Sequence, residues 1–219
     1  LEQKIGQMVQ ANINHITPKD VSKYYLGSIQ NRGRYWPATN QSSVDDWLRL
    51  ADAYHKASLD KTLGGAGIPI IWGTDAVHGH NNLLGATIFP HNIGLGAADE
   101  PELIEQIASI TAREVAVTGQ DWTFAPTLAV ARDMRWGRTY KSFSDDIEII
   151  ERDSRAMIRG LQGNSDQLHA SPWKVIATAK HFIGDGGTFQ GIDQGDTRLD
   201  LATMLELHGR GYESAIDEG

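Results

Sequence analysis

Apolar residues in this chain alternate between two kinds of run. Short runs at 26–30, 68–73, 123–125 and 175–179 are each followed by polar or glycine-rich residues and then by a longer stretch with apolar positions at helical spacing. The run at 68–73, Ile-Pro-Ile-Ile-Trp-Gly, shows no polar alternation, which predicts a strand covered on both faces in a parallel sheet. The run at 123–125 stops at Pro126, because proline cannot donate to a ladder. The first helix is predicted over about 43–63, with Ser43 and Asp46 at capping-box spacing. A second is predicted to start at Asp99, with Glu102 completing the box and Leu103, Ile107 and Ile110 on one face. A third spans about 145–161, sets Ile147, Ile150, Met157, Ile158 and Leu161 on one stripe, and ends at Gly163. The fourth starts near Asp200 and turns Leu201, Met204, Leu205, His208 and Tyr212 inward. Residues 1–8 also have helical apolar spacing, with no capping residue ahead of them, as if the chain starts inside an element.

The alternation predicts an α/β fold of about four βα units, half of a (β/α)8 TIM-like barrel, which typically needs about 250 residues. The rival is a small doubly wound sheet, but no G-x-G-x-x-G opens a helix after the first strand. No internal repeat of fixed period goes beyond the βα unit. The chain's 219 residues, 40% of them hydrophobic, are enough for one domain or most of one. Lys and Arg number 20 against 28 Asp and Glu, a net charge of −8, which argues against a general affinity for nucleic acid or an anionic membrane. There is no cysteine, so a disulfide framework and a thiolate metal site are both excluded. No apolar run approaches the roughly 20 residues that span a bilayer, and the start carries no signal-peptide pattern.

Candidate chemistry gathers where the predicted strands end. In a parallel sheet those ends share one rim, which brings Asp75, Arg138, Lys180 and His181 together. Asp75 follows an apolar strand; it is either a hydroxyl acceptor on a pocket floor or a turn former bonded to its own backbone. Lys180 stands between apolar neighbours, where an ammonium is costly unless paired. Arg132, Arg135 and Arg138 cannot all face one ligand, so one or two should brace the loop through Asp133, Asp145 or Asp146. Arginine and lysine at such a rim suit a ligand dense in hydroxyl acceptors, and Trp136 beside them is the one tryptophan, of Trp36, Trp122 and Trp136, proposed to stack on a sugar. His78-Gly79-His80 has the H-x-H spacing of metal-dependent amidohydrolase barrels, the alternative chemistry, although satisfied loop histidines are commoner. Gly184 to Gly187 are weak support for a phosphate site.

Four spaced motifs taken in order carry a resemblance: Lys4-Ile5-Gly6-Gln7-Met8, Gly73-Thr74-Asp75-Ala76-Val77-His78-Gly79, the run from Arg135 through Arg138 to Asp146, and Ala179-Lys180-His181-Phe182-Ile183-Gly184-Asp185-Gly186-Gly187-Thr188. Together they resemble, over essentially the whole chain, the N-terminal barrel of family 3 glycoside hydrolases, and most of all its exo-β-glucanase and β-glucosidase branch. The resemblance implies that Asp75 accepts the 4- and 6-hydroxyls of a nonreducing-end glucose while Arg138, Lys180 and His181 surround the 3- and 4-hydroxyls. The branch acting on N-acetylglucosaminides has Lys-His-Phe-Pro-Gly-His-Gly, and Ile183 and Asp185 here depart from it. The resemblance further implies retaining hydrolysis of a β-glucan or β-glucoside, no cofactor, and a periplasmic or secreted location. It places the nucleophile and the acid/base beyond residue 219, in the rest of the barrel and a following α/β domain. Residues 1–219 would then supply substrate recognition and no catalytic group. A catalytically silent sugar-binding barrel is the rival from another class.

Overall fold

A computed structural model describes residues 1–31, 35–62 and 64–219, with the side chains of residues 165, 167 and 169 excepted. After a short helix α1 (Glu2–Gln7), β1 (Gln10–Asn12), α2 (Pro18–Tyr24), β2 (Ser28–Asn31), α3 (Val44–Leu59) and β3 (Ile71–Thr74) follow in turn. Next come α4 (Asn92–Ala98), α5 (Pro101–Ala116), β4 (Trp122–Thr123), α6 (Ile147–Gln162) and α7 (Ser165–Ala170). The chain closes with α8 (Leu201–Met204), a π-helical turn (Leu205–Gly209) and α9 (Arg210–Glu218).

The four strands form one sheet in the order β1-β2-β3-β4, and every pair is parallel. Each new strand is added at the same edge after a helical return, so the order never reverses. A doubly wound sheet needs such a reversal at its switch point, and the rival reading fails on this ground. Past β4, single bridges from Trp122 to Ile176 and from Thr127 to Lys180 place the 175–180 segment next in line, without a continuous ladder. Among the described residues the sheet stays open.

β1 was absent from the expected pattern, so the count of about four βα units is corrected to five strand positions, with 175–180 as the fifth. Its Gln-Ala-Asn sequence has no apolar run; the ladder with Ser28, Ile29 and Gln30 makes it a strand. The α3 capping box is present, with Ser43 accepting from the Asp46 N–H and Asp46 from the Ser43 N–H, but α3 ends at Leu59. Leu63, the predicted end, lies outside the described residues, as do residues 32–34 of the polar loop expected after the first strand.

Asp99 does not cap the next helix. It sits at φ 57° at the C-terminal end of α4, a helix outside the four expected ones, while α5 opens with Pro101 at its first position. The expected face of α5 is also corrected: Leu103 and Ile110 are exposed, and Ile104, Ile107, Ala108, Thr111, Ala112 and Val115 are buried. Ala108, Thr111 and Ala112 share that face because α5 and α6 pack closely; a Cβ on Gly160 of α6 would lie 2.3 Å from the Glu105 carbonyl oxygen. In α6 itself, Ile150, Met157, Ile158 and Leu161 are buried as expected, Asp146 caps the start and Gly163, at φ 68°, ends it. Asp200 caps α8 through the Thr203 N–H. Leu201 and Leu205 are exposed, whereas His208 is buried. From the π turn onward the buried residues are His208, which was expected inward, and Gly209, Gly211, Ser214 and Ala215, which were not.

Two cores result. One, around Ile29, Trp47, Tyr54 and Trp72, lies between α2–α3 and the first strands; the other, around Ile104, Leu128, Val130, Ile150 and Met157, lies under α5 and α6.

Candidate active site

β3 delivers Asp75 to the rim, and a buried polar chain fixes where it arrives. Trp72 Nε1 donates to Asn31 Oδ1 at 2.8 Å, and Asn31 Nδ2 and Asn82 Nδ2 both donate to Thr74 Oγ1, at 3.2 and 3.3 Å. The end of β2 is thereby tied to the end of β3 directly beneath Asp75. From the 175–180 segment Lys180 reaches across, its Nζ 2.9 Å from Asp75 Oδ1. The lysine side chain is only 12% exposed. Burial pulls its pKa below the usual range, the Asp75 carboxylate opposes that pull, and Lys141 and Arg138 add to it.

The three arginines divide as expected. Arg135 folds onto Asp133, and Arg132 Nη1 donates to the Asp145 carbonyl at 3.1 Å, so both brace the loop. Arg138 points elsewhere: its Nε and Nη2 donate to the two oxygens of Asp193 at 2.7 and 2.8 Å. Asp193 also accepts the Trp136 indole N–H at 2.9 Å. This pairing raises the Arg138 pKa and lowers that of Asp193. Asp193 was not foreseen; it lies in a polar loop 55 residues further on, and no local pattern marks it. Trp136 is corrected as a stacking ring, since it is 2% exposed and its N–H is committed to Asp193. Trp122 stands edge-on to Phe124 and donates to the Thr178 hydroxyl, and Trp36 packs on the first core.

His181 Nδ1 lies 3.0 Å from Asp185 Oδ2. Arg138, His181, Asp185 and Thr188 line an open cavity of about 230 Å³. Asp75, His78, His91, Tyr140 and Lys141 line a second, of about 240 Å³. Lys180 links the two, bonded to Asp75 and covalently next to His181. In the glycine turn, the Gly187 N–H is spent on the Gly184 carbonyl, which also accepts from Thr197, so the turn braces itself.

His78 and His80 face different surroundings. His78 Nδ1 bonds the Phe89 carbonyl at 3.0 Å beside the His91 ring, whereas His80 is fully buried against Trp47. Among the described residues no three His, Asp or Glu side chains are grouped to hold a metal. The Thr118 hydroxyl donates to the Val115 carbonyl, so its oxygen accepts from His80 Nε2–H at 3.1 Å, and His80 Nδ1 is buried without a partner. A proton on Nδ1 would find no acceptor there. Burial accordingly pushes the His80 pKa from 6.5 down to about 4. The unfolded chain takes up this proton below about pH 6.5 and the folded one does not, so stability is full at pH 7 and falls as pH drops from 6.5 towards 4, by up to about 3 kcal/mol. His80→Gln should therefore flatten the acid side of the urea-unfolding profile; an unchanged slope between pH 7 and 4.5 would show that His80 is protonated in the folded protein.

The glycosyl hydrolase family 3 N-terminal domain matches residues 1–219. The chain belongs to glycoside hydrolase family 3. A solved structure of a mutant exo-1,3/1,4-β-glucanase from a Pseudoalteromonas species superposes on it with a TM-score of 0.95 at 48% identity, covering 100% of this chain and 35% of that one. The lysosomal β-glucosidase of Dictyostelium discoideum is 29% identical over 89% of this chain and 26% of its own length. The periplasmic β-glucosidase of Salmonella typhimurium is 25% identical over 100% of this chain and 26% of its own length. The family 3 chain thus spans about a quarter to a third of these relatives. No helix among its described residues is long and apolar enough to cross a membrane.

Proposed function

We propose that this family 3 domain forms the glucose-binding rim of an exo-acting β-glucosidase or β-glucanase, and that its open parallel sheet is the first part of a (β/α)8 barrel. The observation that carries the reading is the Asp75–Lys180 ion pair at the rim, with His181 next to Lys180 in the chain and Arg138 in the cavity that His181 lines. Asp75 keeps an oxygen for the 4- and 6-hydroxyls of the terminal glucose, and Arg138, Lys180 and His181 donate around the 3- and 4-hydroxyls. Two ion-paired cations and a carboxylate suit a neutral ring rich in both donors and acceptors.

The reaction is hydrolysis with retention, which needs two carboxyl groups about 5–5.5 Å apart, one as nucleophile and one as acid/base. Both come from sequence outside these 219 residues, in the rest of the barrel and a following α/β domain. No cofactor takes part. The Salmonella relative carries a periplasmic name, which supports a periplasmic or secreted location for the whole protein, whose proposed substrate is a β-glucan or β-glucoside.

Proton NMR of an aryl β-glucoside digest by the full-length protein tests this. β-Glucose as the first-formed anomer is expected. α-Glucose would overturn the retaining mechanism, and saturable glucose binding without turnover would make the protein a sugar binder.

A further inference from the structure

Arg138 is the one arginine of its loop that is not spent on bracing the loop, and its geometry is set from outside. Asp193 grips it with both oxygens, through Nε and Nη2. The Asp193 oxygen that takes Nε also takes the indole N–H of Trp136, which is buried and cannot swing. The loop that brings Asp193 in is pressed onto the arginine loop: Gly191 has φ 69°, and a Cβ there would lie 2.6 Å from the Trp136 backbone nitrogen. No side chain larger than hydrogen fits that approach. The clamp leaves Arg138 Nη1 without a hydrogen bond among the described residues, on a guanidinium that lines the cavity shared with His181.

We propose that Asp193 is a positioning residue, which fixes the guanidinium plane of Arg138 so that Nη1 meets the hydroxyls of a neutral pyranose. The proposal rests on the glucose-site reading above. A free arginine must lose several rotors on binding; one already locked by a bidentate partner does not, and its donors act on the ligand without that cost. The same carboxylate cancels the arginine's charge, as Asp75 does for Lys180, so these two donors come as neutral pairs. That balance suits an uncharged glycoside over a phosphorylated or uronic one.

A double-mutant cycle in the full-length protein, reading kcat/KM on an aryl β-glucoside, is the test. Asp193→Ala in the wild type should lower kcat/KM by about tenfold, the scale of one hydrogen bond to a charged group. In an Arg138→Ala background the same change should cost less than twofold, because the residue it positions is gone. Equal losses in both backgrounds would mean that Asp193 merely holds the loop, and would overturn the proposal. A loss below twofold in the wild type would do the same. Should Asp193→Ala fail to fold, Asp193→Asn, which keeps the acceptor for Trp136, takes its place in the cycle with the same criteria. If Arg138→Ala alone leaves kcat/KM within twofold, the glucose-site reading fails and the positioning role falls with it.

Discussion

Asp75→Ala in the full-length protein should lower kcat/KM on an aryl β-glucoside by about a hundredfold or more. Two losses combine. The sugar's hydroxyls lose their carboxylate acceptor, and sites built to hydrogen-bond a hydroxyl discriminate by orders of magnitude when one partner is missing. The Lys180 ammonium also loses its neutralising carboxylate while remaining largely buried, which pushes its pKa down further and favours the neutral amine, a weaker donor. Asp75→Asn separates the two, since it preserves shape and an acceptor oxygen but removes the charge that Lys180 requires. A fall in kcat/KM of less than threefold for Asp75→Ala would remove Asp75 from the sugar site.

Gly160→Val should destabilise the protein by about 3 kcal/mol, read as a shift of the guanidinium midpoint. The direction is the sharper part. On an exposed helix, replacing glycine gains up to about 1 kcal/mol for alanine through propensity alone. At Gly160 a Cβ would sit 2.3 Å from the Glu105 carbonyl oxygen and 2.5 Å from the Ala108 Cβ, so even Gly160→Ala should destabilise. Stabilisation by Gly160→Ala would mean that α5 and α6 pack less closely than described.

That contact also explains what the sequence could and could not tell. The large residues on the buried face of α6, Ile150, Met157, Ile158 and Leu161, were readable from spacing; Ala156 and Gly160 between them were not. The buried stripe of α5 mixes Ile104, Ile107 and Val115 with Ala108, Thr111 and Ala112, and a count of large apolar residues found Ile107 but also chose the exposed Leu103 and Ile110. β1 was invisible because its three residues owe their conformation to a neighbour 18 positions away. Ideal helical periodicity drew the last inward face through Leu201 and Leu205, which are exposed, and had no means of foreseeing the π turn that begins at Leu205.

The rim was more legible than the helix faces. Residues directly after strands need only strand ends and parallel order to be placed, and Asp75 and Lys180 come together on those terms at 2.9 Å. What escaped were the partners supplied by long loops. Asp193 and Asp185 have no periodic signal, and Trp136 looked like a ring for a sugar because nothing local showed that its N–H is taken by a residue 57 positions later.

A structure of the full-length protein with glucose bound tests the placement of the sugar most directly. The expected result is one pyranose with Asp75, Arg138, Lys180 and His181 all within hydrogen-bonding distance of its hydroxyls. A ring seated elsewhere, such as the open cavity of about 280 Å³ beside Met134 and Phe143, with those four side chains making no contact to it, would contradict that placement.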